Sequence, residues 1–217
     1  MGGVGRRQLI LGASLLVLAA CSGGNGPAAS GGPGPDDMVL GSPNARATLI
    51  EYASATCPHC AHFHETVWDQ LKTNYIDTGK LRFIFREFPT PPEAVAVAGF
   101  QLSRCGGATP EQYFARLGEI FRQQHDMFAS GTMEGVRAKL LEIGASSGLS
   151  EQQVMQCIGD DAGPERIRRI EQGATQFNVT GTPTLILNGQ KLEDPRALTY
   201  EGLSQLIDQA IGARPQG

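Results

Sequence analysis

The chain has 217 residues, of which 41% are hydrophobic and 18% charged, and its formal net charge is −4. That length suits one domain, or a domain carrying an insertion, and is enough to bury a sizeable core. Mild acidity without a basic stripe or polybasic run argues against nucleic acid as the main partner.

Residues 9–20 form an apolar run behind Arg6 and Arg7, shorter than the roughly 20 residues that a membrane span needs. The pattern is that of a signal peptide over residues 1–20, to be set aside before the fold is considered. Its end, Leu18-Ala19-Ala20-Cys21, resembles a bacterial lipobox. In that reading Cys21 is lipidated, becomes the mature N-terminus and anchors the chain to a membrane of the periplasm or cell envelope. A plain secretory signal and an uncleaved anchor are the other readings. Arg6-Arg7-Gln8-Leu9-Ile10 also resembles a twin-arginine export signal, which leaves the export route open. Cleavage removes two positive charges and takes the net charge from −4 to −6. Residues 21–37 then comprise the lipidated cysteine and a stretch rich in Gly, Pro, Ser and Ala. The stretch lacks an apolar period and reads as a flexible tether. A single domain follows over residues 38–212.

Residues 47–54 (ATLIEYAS) read as a strand. A helical stretch runs from the motif Cys57-Pro58-His59-Cys60 to about Thr78, where Gly79 stops it. Residues 81–88 (LRFIFREF) are rich in strand formers and bounded by Gly79 and Pro89. Strand, helix and strand at this spacing predict a right-handed βαβ unit. Residues 91–178, approximately, are helical. Val95, Ala98, Leu102 and Cys105 make one stripe, and Phe114, Leu117 and Phe121 a second. Met133, Val136, Leu140 and Ile143 follow, then Ile167, Ile170, Ala174 and Phe177. Thr109-Pro110-Glu111-Gln112 and Ser150-Glu151-Gln152-Gln153 are capping boxes that start two of these helices. After Gly181-Thr182-Pro183, residues 184–187 form a short strand. Asn188-Gly189 turns the chain, residues 190–192 pair back, and a last helix buries Leu203, Leu206, Ile207, Ala210 and Ile211. The predicted order is β-α-β, a helical block, then β-β-α.

A lone C-x-x-C is either half a zinc site or a redox pair. His62 and His64 lie close enough to Cys57 and Cys60 to keep open a metal-binding reading, in which the chain is a metal-binding lipoprotein. The remaining cysteines, Cys105 and Cys157, are solitary and offer no second C-x-x-C. Position supports redox chemistry. A motif that ends a strand and opens a helix puts Cys57 at a helix N-terminus, where unpaired N–H groups and the dipole favour a thiolate. A stabilised thiolate is a good leaving group, so a Cys57–Cys60 disulfide is readily attacked. Cys60, one turn later, is expected to be more buried and to resolve the exchange. Pro58 in the first turn costs no hydrogen bond, and His59 can bring positive charge or a hydrogen bond to the thiolate.

These features together resemble the DsbA-like branch of the thioredoxin superfamily. The resemblance rests on Cys57-Pro58-His59-Cys60, on Glu51 six residues before Cys57 at the end of the first strand, and on Thr182-Pro183 ahead of a strand. Arg86-Glu87-Phe88-Pro89 at the end of the second strand and the helical block between the two halves add to it. The resemblance implies a thioredoxin-like α/β fold with an inserted all-helical subdomain. It further implies that Cys57 forms the mixed disulfide with a client and that Cys60 resolves it. Glu51 shuttles a proton for Cys60. Thr182 and a cis Pro183 present an edge for client backbone. Some relatives carry a second disulfide. A Cys105–Cys157 bridge, closing about 52 residues, is worth roughly 4 kcal/mol in the chain-entropy model; two free buried thiols or a second redox pair are the alternatives. The implied activity is oxidation of client proteins with cysteine pairs by a monomer. A quinone-linked membrane partner resembling DsbB would reoxidise it, and no organic cofactor or metal is involved. Reduction or isomerisation at the same site, with a reductant as partner, is the alternative.

Overall fold

The computed structural model describes residues 1–3 and 32–212. Cys21, the body of the expected signal peptide and the tether ahead of Gly32 lie outside the described residues.

Among the described residues, one mixed sheet has the strand order β1-β3-β2-β4-β5. Its strands are β1 (Met38–Leu40), β2 (Ala47–Ala53), β3 (Leu81–Glu87), β4 (Thr184–Leu187) and β5 (Gln190–Lys191). The central strands β2 and β3 are buried on both faces, which is why they read as near-continuous apolar runs rather than alternating ones. They run parallel, with Ala53 opposite Glu87. β4 lies antiparallel to β2 on the other side, and the Asn188-Gly189 turn, with φ of 50° and 83°, returns the chain into β5. Positive φ at both turn positions is what a two-residue hairpin demands and what Asn-Gly supplies.

β2 is followed by one uninterrupted helical run: α1 (Pro58–Phe63), a π-turn over His64–Trp68, α2 (Asp69–Leu71) and a second π-turn over Lys72–Ile76. The inserted block comprises α3 (Glu93–Arg104), α4 (Pro110–Arg122), α5 (Gln124–Phe128), α6 (Met133–Ser146), α7 (Glu151–Ile158) and α8 (Ala162–Ala174). Both capping boxes form, Thr109 with Gln112 and Ser150 with Gln153. The chain then completes the sheet and ends in α9 (Tyr200–Gly212). One sheet face, bearing Leu49, Phe83 and Phe85, packs with Phe63, Phe100, Phe114 and Leu203 in the main core. The opposite face, bearing Ile50, Tyr52, Ile84 and Ile186, is covered by Ile170 and Ala174 of α8.

Two expectations need correction. The sheet begins a strand earlier than predicted, because β1 pairs antiparallel to β3 through Met38, Val39 and Leu40. Three residues are too few to show alternation, so this edge strand left no pattern to read. The last part of the expected tether is also docked on the domain. The Asp37 carboxylate accepts from Arg86 Nε and Nη2, the latter at 3.0 Å, and Asp36 pairs with Arg169 at 2.8 Å. Composition suggested a loose linker, but the two acids at its end face an arginine cluster.

Two ties hold the helical block, the first to the sheet and the second within itself. The fully buried Glu87 carboxylate accepts from Arg104 Nε of α3 at 2.7 Å, the Tyr113 hydroxyl of α4 at 3.0 Å and Arg166 Nε of α8 at 3.1 Å. Cys105, at the end of α3, and Cys157 of α7 are joined by a disulfide with a Cα–Cα distance of 5.4 Å.

Candidate active site

The motif sits on a loop held from three sides. Ser54 Oγ, buried after β2, accepts from the main-chain N–H of Thr90 at 3.0 Å, and Thr56 Oγ1 donates to the Thr90 carbonyl at 2.8 Å. Cys57 is the residue before the helix, with extended backbone, and Pro58 occupies the first turn. The N–H groups of Cys60 and Ala61 donate to the Cys57 carbonyl, each at 3.1 Å. From the helical block, Gln124 Nε2 donates to the carbonyls of Ala55 (3.0 Å) and Cys57 (3.2 Å). Buried loop carbonyls are costly without such donors.

The two sulfurs occupy opposite environments. Cys57 is 8% exposed and Cys60 is 0% exposed, so an incoming thiolate can reach only the former. Both are unpaired thiols here. The Cys60 thiol beside it is the main cause that pulls the Cys57 thiol down to about 5. Burial opposes this, and Thr182 and the main-chain N–H groups of Cys60 and His59 add to it. Cys60 is pushed well above the ordinary thiol range, chiefly by burial, then by its hydrogen bond with Cys57 and by the charge of Glu51. The Thr182-Pro183 peptide bond is cis, and the Thr182 carbonyl accepts from Cys57 Sγ at 3.3 Å. The loop before β4 therefore stands directly against the reactive sulfur.

The same architecture recurs in solved structures. α-DsbA1 of Wolbachia pipientis superposes with a TM-score of 0.70 at 28% identity, covering 83% of this chain and 93% of that one. A family model described as Thioredoxin matches residues 34–209. The chain belongs to the thioredoxin family, in its DsbA-like branch. A Rickettsia typhi protein named as a protein-disulfide oxidoreductase is 33% identical to this DsbA-like chain over 177 residues, 81% of the chain. The chain spans 62% of that relative's length. BdbD of Bacillus subtilis, at 18% identity and a TM-score of 0.69, covers 85% of the chain and 98% of its own and shares the fold.

Within the DsbA-like site, the structure brings Cys57, Cys60, Glu51, Thr182 and Pro183 together. Glu51 lies inside β2 rather than at its end and is completely buried. His59 is exposed, and its main-chain N–H helps to lower the Cys57 thiol. Pro58 is exposed beside the reactive sulfur. His62 is exposed, whereas His64 is buried and turns inward. Among the described residues no group of three or more His, Cys, Asp or Glu could hold a metal ion.

Two participants were not anticipated. His64 Nε2 lies 2.9 Å from Glu51 Oε2. Its ring stacks on Trp68, with centroids 5.0 Å apart, and tilts against Phe121 at 4.5 Å. The signal for His64 was available, because it falls four residues after Cys60 and so shares a helix face with it. Gln124 had no such signal, since its partners lie 67 and 69 residues away.

Proposed function

We propose that this chain is an extracytoplasmic thiol–disulfide oxidoreductase that oxidises client dithiols through the Cys57–Cys60 pair. The opposed acidity of the two sulfurs carries this reading: Cys57 is lowered to about 5 and Cys60 is raised. A client thiolate attacks Cys57 Sγ of the disulfide. The S–S electron pair passes to Cys60, which takes up a proton because its thiol is the favoured form. A second client thiolate then attacks the client sulfur of the mixed disulfide. Cys57 leaves as a stable thiolate, the client is oxidised by two electrons, and the enzyme is left as dithiol. Stabilising the dithiol form in this way makes the disulfide oxidising.

Thr182 and cis Pro183 offer the client an extended edge beside Cys57. A DsbB-like membrane partner returns the electrons to the respiratory chain. Lipidation of Cys21 holds the monomeric domain at a membrane of the cell envelope. The Cys105–Cys157 disulfide supports an oxidising compartment. The deciding measurement is the equilibrium of the Cys57–Cys60 pair with a glutathione buffer. A potential near that of DsbA, about −120 mV, is expected, whereas one near thioredoxin's, about −270 mV, would instead favour a reductase. Cys57→Ala is expected to abolish oxidative refolding of a reduced client.

A further inference from the structure

Cys60 must gain a proton when the disulfide opens and lose it when the disulfide closes, yet it and Glu51 are both 0% exposed. A proton leaving Cys60 therefore needs a path to water that Glu51 alone does not provide. Glu51 Oε1 is buried without a hydrogen-bond partner, and Oε2 faces His64 Nε2 at 2.9 Å. His64 in turn lines a cavity of about 140 Å³ with Glu65, Trp68, Asp69, Gly118 and Arg122. Glu65, Asp69 and Arg122 are exposed, so this cavity gives onto the surface. A buried imidazole with one edge on a buried carboxylate and a solvent-facing cavity beside it has the geometry of a relay.

We propose that His64 is a positioning residue that carries protons between this cavity and Glu51, and through Glu51 to the sulfur of Cys60. The inference rests on the exchange reading above and adds a named route to it. When a mixed disulfide at Cys57 closes, the Cys60 thiol gives its proton to the Glu51 carboxylate. The Cys60 sulfur attacks Cys57 Sγ, and the Cys57–Cys60 bond forms as the client thiolate leaves. Glu51 then hands the proton to His64, which releases it to water in the cavity. In the oxidising direction the same proton travels inward. The ionisable groups facing His64 are Glu51 from β2, Glu65 and Asp69 from its own helical run and Arg122 from α4, with Cys60 of α1 reached through Glu51.

The test starts from the mixed disulfide of Cys57 with glutathione, trapped at acid pH and jumped to a range of higher pH, with glutathione release as the readout. His64→Gln keeps an amide that can bond Glu51 but does not titrate. It is expected to close about tenfold more slowly near neutrality, with a displaced pH profile. Closure at the unaltered rate and with the unaltered profile would overturn the relay. Should the variant not fold, the unaltered chain suffices. Trp68 is the chain's one tryptophan and stacks on His64, so its fluorescence reports the state of that ring. Its pH titration is expected to differ between the disulfide and dithiol forms; coincident curves would overturn the proposal. An unaltered chain that forms no mixed disulfide at Cys57 removes the exchange reading itself, and the relay with it.

Discussion

In the folded dithiol form Cys57 keeps its negative charge down to about 5, whereas a free cysteine titrates near about 8.5. Between those values the unfolded chain binds a proton that the folded chain does not, so the stability of the dithiol form rises with pH across the window. The contribution is complete above the unfolded value and is lost as pH falls through about 5. Cys60, with its raised pKa, works the other way only above the ordinary thiol range. In the disulfide form neither sulfur titrates. The dithiol form is therefore expected to gain stability relative to the disulfide form between pH 5 and pH 8, and to lose that advantage below pH 5. Urea denaturation of both forms at pH 8 and pH 4.5 checks this; an equal gap at the two values would contradict it. The place of Cys57 at a helix start was legible from the motif that follows a strand. The part played by the main chain of His59 was not, because the residue type directs attention to its ring.

Among the elements, α3 meets the loop entering α1 at a glycine. A Cβ added at Gly99 would lie 2.9 Å from Ala55 Cβ, and Ala55 belongs to the loop that Gln124 clamps beside Cys57. Gly99 is thus retained for space rather than for backbone freedom. Gly99→Ala is expected to cost about 1–3 kcal/mol through overpacking. A lower denaturation midpoint and faster alkylation of Cys60, as the loop loosens, are the measurements. An unchanged midpoint would show that α3 can shift without penalty. Local chemistry made most elements readable: Thr109 and Ser150 announced their helices, and Asn188-Gly189 its hairpin. The edge strand β1 and the two π-turns escaped notice, because three residues carry no period and a π-turn adds a residue without changing composition.

At the scale of the whole molecule, the Cys105–Cys157 disulfide and the Glu87 cluster fasten the helical block to itself and to the sheet. The disulfide lies away from the reactive sulfurs, at the junction of α3 and α7. Replacing both Cys105 and Cys157 by alanine is expected to lower stability by about 2–4 kcal/mol, measured by urea denaturation with the Cys57–Cys60 pair held in one redox state. The potential of that pair is expected to stay put; a large shift would mean that the two bonds are coupled. The overall architecture followed from element order and from resemblance. The contacts among Asp36, Arg169, Glu87 and Arg166 did not, since each joins residues far apart in the chain that no spacing rule connects.

The clamp at Asp36 and Asp37 bears on the membrane anchoring proposed above. β1 pairs antiparallel with the middle of β3, Met38 opposite Phe85, so the chain enters β1 from the C-terminal end of β3; β3 runs parallel to β2, which delivers Cys57 at that same end. Arg86, one residue before the end of β3, grips Asp37 and the carbonyl of Gly32. The backbone thus meets the folded body beside its working face, as a lamp hung by the rim of its shade. Under the anchoring proposed at Cys21, tension on the chain ahead of Gly32 would turn the reactive sulfur toward the membrane and shorten its reach away from it.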